Sequence, residues 1–301
     1  MSNSSSPSRV SLDRLNAADK AMFVAAIGET FEHAPWIAEA AYALRPFATV
    51  ASLNEAMAKA VRSLTPDQQL ALIRGHPELA GKAARAGAMT GHSVAEQSAA
   101  GLHSLSEQEF THFYRMNEAY RDTFGFPFII CVRRHTTRSI LHEFERRLGS
   151  AYDTEVRASL DEILRISALR LSQRVEGPDR LNVYGRLSTH VLDTSCGRPA
   201  AGIPVQLFEA SDVDTFRLIV ETQTNADGRT DAPLISERPL PIGHYQLVFH
   251  VGSYFQQQKI ALANPPFLDI VPIRFAVAMA EEHYHVPLLV TPCSYTTYRG
   301  S

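Results

Sequence analysis

Along the first 175 or so residues, apolar positions recur at helical spacing, and several such runs begin with a residue able to hold open backbone amides. Asn16 is predicted to cap a helix carrying Phe23, Ile27 and Phe31. S-L-N-E at Ser52 to Glu55 reads as a capping box, and Thr65-Pro66-Asp67-Gln68 repeats the device with proline at the first helical position, where its missing N–H costs nothing. Ser106 to Glu109 opens another helix through Phe110, Phe113 and Tyr120. A last helix is predicted after Asp153. Its Val156, Leu160, Ile163, Ser167 and Arg170 fall on one face.

Beyond Val175 the period changes, through E-G-P-D-R, from helical to two. LNVYGRLSTHVLD, IPVQLFEA, FRLIVETQ, HYQLVFHV and VPIRFAVAM are short, β-branched and aromatic, with turn signals T-N-A-D-G-R and P-I-G-H between them. The pattern predicts two domains without internal repeat: a disordered start over 1–10, an all-α domain over 11–174, a linker over 175–180 and an all-β sandwich over 181–301.

Composition narrows the function. With 45% hydrophobic residues, 20% charged residues and a net charge of -3, the 301-residue chain reads as a soluble globular protein with no nucleic-acid or membrane partner. Three cysteines, Cys131, Cys196 and Cys293, stand far apart without a C-x-x-C pair, which fits a reducing compartment and no disulfide framework. Cys131 lies in an apolar run and reads as core. No signal peptide, 18-residue apolar run or usual peroxisomal tripeptide is seen, so a cytoplasmic location is expected.

LSTHVLDTSCGRPAAGIPVQL, NADGRTD, HYHVPLLV and the terminal YRGS occur in order over residues 181 to 301 and together resemble 5-hydroxyisourate hydrolase, the enzyme branch of the transthyretin family. The resemblance implies a β-sandwich assembling into a homotetramer with sites in a channel between dimers. It places the catalytic set on His190, Arg229, His285 and Ser301, with His283, Tyr298 and Arg299 as substrate-binding residues. A chain end lining such a channel is expected to carry no tail. The residue types suit the chemistry: opening a cyclic ureide amide needs a base near neutral pKa to activate water and a cation to hold the oxyanion. His190 is out of phase with Leu187 and Val191, so it points away from a core that those two face. A solvated surface histidine and a turn arginine are the plainer readings of His190 and Arg229 taken singly. The H-x-H pair His283/His285 could also hold zinc with His190 as third ligand, although the family resembled is metal-free. A ligand carrier is the alternative within the same family.

HPELAGKAARAGAMTGHSVAEQSAAGL, preceded by FEHAPWIAE and followed by YRDTFGFPFIICVRRH, resembles 2-oxo-4-hydroxy-4-carboxy-5-ureidoimidazoline (OHCU) decarboxylase over residues 11 to about 174. The resemblance assigns catalysis to His76, Glu96 and Arg170 and binding to Pro77, Ser93 and Gln97. Backbone amides in the F-G-F-P-F-I-I turn, at Phe128 and Ile130, are expected to hold the ring carbonyl. Losing carbon dioxide leaves an electron pair to be protonated on one face, work suited to an imidazole and a carboxylate, with arginine orienting an anion. Arg170 lies on an apolar stripe, so it is expected to line a polar cavity; snorkelling to water is the alternative. For His76 the alternative is a helix-ending turn whose ring caps carbonyls. His92, His103, His112, His135 and His142 receive no role.

The two resemblances name consecutive reactions, because the hydrolase makes the decarboxylase's substrate. The expected function is conversion of 5-hydroxyisourate to OHCU and then to (S)-allantoin, without a cofactor. The expected partners are these small molecules and other copies of the chain, a tetramer through the second domain with decarboxylase-domain dimers besides. Rival readings are a scaffold or carrier with dead sites, and a hydrolase whose helical half serves assembly alone.

Overall fold

The computed structural model describes residues 9–80, 91–99, 102, 105–211, 214–258 and 260–300. It divides into two units, the first formed by residues 1–132 and 140–183 and the second by 133–139 and 184–301.

The first unit is helical: α1 (Leu12–Ala17), α2 (Lys20–Ile27), α3 (Trp36–Tyr42), α4 (Val50–Arg62), α5 (Pro66–Arg74), α6 (Gly91–Ala99), α7 (Glu107–Phe124), α8 (Thr137–Leu148) and α9 (Tyr152–Arg174). The start signals at Thr65 and Ser106 form reciprocal capping boxes with Gln68 and Glu109. Two other starts differ from the expectation. Asp19, not Asn16, caps α2 by accepting from Met22 N–H at 2.8 Å. Asn16 lies in the last turn of the separate α1 and pairs its amide with both backbone groups of Phe47, each at 2.9 Å. At α4 the box is Thr49 with Ser52, three residues earlier than predicted.

The reason lies far along the chain. Asp179 accepts from Val50 N–H at 2.7 Å and Ala51 N–H at 2.9 Å, two donors that a helix start leaves open. Residues 175–180 are therefore not a free tether: β2 (Val175–Glu176) pairs in parallel with β1 (Val10–Ser11), and the first unit continues to Val183. Val10, within the stretch expected to be disordered, is thus in a strand, while residues 1–8 lie outside the described residues.

α9 packs on α2, α4 and α5. Leu160, Ile163, Ser167 and Arg170 of the predicted stripe are buried, and Phe23, Ile27, Leu53, Phe113, Tyr120 and Phe144 complete the core around them. Cys131 is also buried.

The second unit is a two-sheet sandwich. One sheet runs β11 (Ser294–Thr297), β10 (His283–Thr291), β3 (Gly185–Asp193), β4 (Arg198–Pro199), with β7 (Ile235–Arg238) also paired to β3. The other runs β6 (Phe216–Gln223), β5 (Pro204–Ala210), β8 (Gly243–His250), β9 (Ile270–Val277). Period two places Leu187, Val191, Leu207, Leu247, Phe249, Tyr284, Val286 and Leu288 in the core between them. Segment 133–139 belongs here, although the sequence reading counted it with the helical half; within this unit Thr136 N–H donates to Ile242 O at 3.0 Å. One short helix, α10 (Val251–Gln257), interrupts the strands, burying Val251, Tyr254 and Phe255 at i, i+3 and i+4.

Candidate active sites

In the first unit Arg170, on α9, gathers the candidates. Its Nε and Nη2 form a fork on Glu96, both bonds 2.8 Å, and Nη1 donates to Glu32 at 2.9 Å. Nη2 also stands 3.5 Å from Ser93 Oγ. Ser93, Glu96 and Gln97 sit at i, i+3 and i+4 of α6, so one face of that helix meets the guanidinium. Arg170 is 4% exposed, which excludes snorkelling. Burial works against its charge, but the two carboxylates more than offset this and hold it above the ordinary arginine value. Glu32 is the member that the sequence reading missed. It lies in the quoted F-E-H-A-P-W stretch, outside any periodic element, and only its burial beside Arg170 marks it.

His76 follows α5. Its Nδ1 lies 3.1 Å from the Leu72 carbonyl, so the capping alternative holds as geometry, and it also has a chemical consequence. With Nδ1–H spent on a carbonyl, Nε2 keeps its lone pair. Burial lowers the His76 pKa to about 4, while Glu32, Arg170 and Glu96 all act on the ring electrostatically. His76 is thus a neutral imidazole at pH 7 within electrostatic reach of two carboxylates and a guanidinium. Gln97 braces the H-P-E-L turn: its Oε1 accepts from Ala80 N–H at 3.0 Å and its Nε2 donates to Glu78 O at 3.3 Å. Pro77, next to His76, is half-buried. Phe128 and Ile130 have buried side chains, Phe128 stacked on Phe144, so those residues can offer a ligand only backbone. A cavity of about 510 Å³ lined by Glu32, His33, Trp36, Leu72 and Gly75, among others, shares Glu32 with the cluster.

In the second unit β3 and β10 pair in parallel, aligning Arg186 with His283, Ser188 with His285 and His190 with Pro287. Alternation puts these on one face. Ser188 Oγ lies 2.8 Å from His283 Nε2 and 2.9 Å from His285 Nδ1, a link that the sequence reading did not foresee. Arg229 is brought to His190 by the N-A-D-G-R turn. There Asn225 Oδ1 accepts from Asp227 N–H at 3.0 Å and Arg229 N–H at 3.2 Å, and Val191 N–H donates to Gly228 O at 2.8 Å. Gly228 has φ +71°, and a Cβ there would stand 2.3 Å from Val191 O, so only glycine lets the turn close on the strand.

Burial, then Arg229, lowers the His190 pKa, with a bond to the Asp227 backbone opposing. His285 is lowered by burial, then by Arg229, His283, His190 and Arg186; His283 by burial and Arg186. All three imidazoles are thereby favoured neutral. Gly300 N–H donates to His285 O at 2.8 Å, and a Cβ on Gly300 would meet His285 Cδ2 at 2.7 Å. Tyr298 is exposed. Arg299 is held by Glu282 at 2.5 Å and lies over the Tyr284 ring, with its guanidinium carbon 4.4 Å from the centroid. Ser301 lies outside the described residues. Among the described residues, no three His, Cys, Asp or Glu side chains form a group able to hold a metal ion.

Residues 16–172 match the family described as OHCU decarboxylase, and residues 187–300 match the HIUase/Transthyretin family. A 5-hydroxyisourate hydrolase of Deinococcus radiodurans is 56% identical over 115 residues, 38% of this chain and 95% of the relative. A 2-oxo-4-hydroxy-4-carboxy-5-ureidoimidazoline decarboxylase of Haloferax volcanii is 42% identical over 165 residues, 55% of this chain and 96% of the relative. The chain belongs to the OHCU decarboxylase family in its first half and to the HIUase/Transthyretin family in its second. A crystal structure of (S)-allantoin synthase resembles both halves at once: TM-score 0.52, 32% identity, 97% of this chain and 100% of that one. The OHCU decarboxylase half therefore carries the His76–Glu96–Arg170–Glu32 cluster, and the HIUase/Transthyretin half carries the His190–Arg229–His285 face. Among the described residues no helix is long and apolar enough to cross a membrane.

Proposed function

We propose that the chain catalyses two consecutive steps of urate breakdown, hydrolysis of 5-hydroxyisourate in the second unit and decarboxylation of the resulting OHCU to (S)-allantoin in the first. What carries the reading is that each half holds its own polar constellation of the kind its reaction needs. In the second unit, neutral imidazoles of His190 and His285 are suited to take a proton from water, and the exposed Arg229 guanidinium to stabilise the oxyanion formed at the ureide carbonyl. His283, Tyr298, Arg299 and Ser301 would bind the ureide.

In the first unit His76 Nε2 is the proton-transfer group, and Glu96 its partner. Arg170 is already met by two carboxylates, so its first task is to fix Glu96 and Glu32; it contributes to anion binding through what its fork leaves open. Pro77, Ser93 and Gln97 shape the pocket, and the backbone at Phe128 and Ile130 faces the ring carbonyl. The exposure of Arg229, His283 and Tyr298 in a single chain supports a channel completed by other copies, a homotetramer through the second unit with helical-unit dimers besides. Three free cysteines support a cytoplasmic location.

The test is fresh 5-hydroxyisourate, made from urate in situ, followed by ultraviolet decay and by the chirality of the product. His76→Ala is expected to leave hydrolysis intact and abolish enantioselective allantoin formation. Arg229→Ala is expected to slow only the first step, by about a hundredfold or more. Equal loss of both steps in a folded variant would sink the two-site reading, and turnover of neither by the native chain would favour a carrier.

A further inference from the structure

Ser188 stands between the two histidines of the H-x-H pair. It faces His285 in parallel register, its Oγ is within hydrogen-bond distance of His283 Nε2 and His285 Nδ1, and the residue is only 9% exposed. A hydroxyl has one proton to give and lone pairs to receive with, so it satisfies both rings best by donating to one nitrogen and accepting from the other. That links the tautomers: the ring whose facing nitrogen accepts must carry its proton on its other nitrogen. The charged and titratable groups facing the pair are Arg186, His190 and Arg229, and the cations among them disfavour a second proton on either ring. The neutral form, the one with a tautomer to choose, is therefore the form present. Since Ser188 occupies Nδ1 of His285, Nε2 is the nitrogen left to the cleft, where a lone pair suits the cation of Arg229 better than an N–H does.

We propose that Ser188 is a positioning residue for hydrolysis: it accepts the Nδ1 proton of His285, donates its own to His283 Nε2, and so presents a bare His285 Nε2 to the attacking water. When Nε2 takes a proton from that water, Nδ1–H passes to Oγ while Oγ–H passes to His283 Nε2. Ser188 is unchanged, and the charge has moved to the more exposed ring.

The kinetic part rests on the hydrolysis proposed above, so the experiment has a readout that does not. Hydrogen–deuterium exchange at histidine Cε1, followed by mass spectrometry on the full chain, reads each imidazole's titration without turnover. Ser188→Ala is expected to shift the curves of both His283 and His285, and Ser188→Thr, which keeps the hydroxyl, to retain the native curves. With 5-hydroxyisourate, Ser188→Ala should lower kcat by at least about tenfold, part of the ~10²–10⁴-fold that a positioned base contributes, and displace the acid limb of the pH profile. Ser188→Thr should restore both. Unchanged titration in Ser188→Ala, or loss in Ser188→Thr as deep as in Ser188→Ala, would overturn the proposal. Coupled titration in a chain that does not hydrolyse the substrate would uphold the link and overturn the function.

Discussion

At the scale of single residues, His76 shows how position sets chemistry. In the unfolded chain its pKa is the ordinary 6.5, whereas folding lowers it to about 4. Between these values the unfolded chain binds the extra proton, so this contribution to stability rises with pH, is complete above about 6.5 and is gone below about 4. His76→Gln should therefore flatten the loss of stability on acidification across that window, which thermal melts from pH 4 to 7 would show; an acid limb as steep as the native one would mean that His76 titrates normally. His76, Glu96, Arg170, His190, Arg229 and His285 were candidates from their motifs, and the fold gathers the first three in the helical unit and the other three in the sandwich unit. Glu32 and Ser188 were not candidates. A glutamate in a loop and a serine in S-T-H look like solvent-facing filler until the fold sets one beside Arg170 and the other between two imidazoles.

Among the elements, α8 and α9 are joined by a charge pair apart from the chemistry. Arg147 is 3% exposed and Glu155 0%; the carboxylate also receives the Tyr120 hydroxyl, and Arg147 donates to Ile129 O at 2.8 Å. Among the described residues Glu155 Oε2 has no hydrogen-bond partner, so the carboxylate depends there on the contacts made through Oε1. Arg147→Met should destabilise the helical unit by about 3–5 kcal/mol, and Arg147→Met with Glu155→Leu should recover much of that, because the cost is an uncompensated buried charge rather than a lost attraction. Denaturant melts of both variants decide it. The same elements show the limit of local reading: Thr65 and Ser106 cap their helices with residues three positions away, and local sequence suffices there. The start of α4 answers to Asp179, more than a hundred residues on, and no window around Ser52 contains it. α10 was missed because its apolar spacing covers only seven residues after a clear strand.

For the molecule as a whole, the change of period near Val175 made the two folds legible. Where one ends was less so, because residues 175–183 stay with the helical unit through β2 and Asp179. Gly300 lies so close to the His285 ring that a Cβ there would meet it, which brings the end of the described chain to that imidazole. A tag appended after Ser301, or deletion of Tyr298 to Ser301, should cost hydroxyisourate hydrolysis while decarboxylation persists; a tag before Met1 should cost neither. First-step rate and oligomer mass of the tagged forms are the measurement, and full hydrolysis by a C-terminally tagged tetramer would count against a chain end that lines the site.

The parallel pairing of β3 with β10 also puts the two sites on different clocks. Ser188 and His285 are about a hundred residues apart, and a ribosome adding ~5–20 residues per second needs roughly 5–20 seconds to cover that distance. By then every residue of the helical cluster, from Glu32 to Arg170, has long emerged. A newborn chain therefore holds every residue of the cluster proposed for decarboxylation before the β3–β10 face proposed for hydrolysis can form.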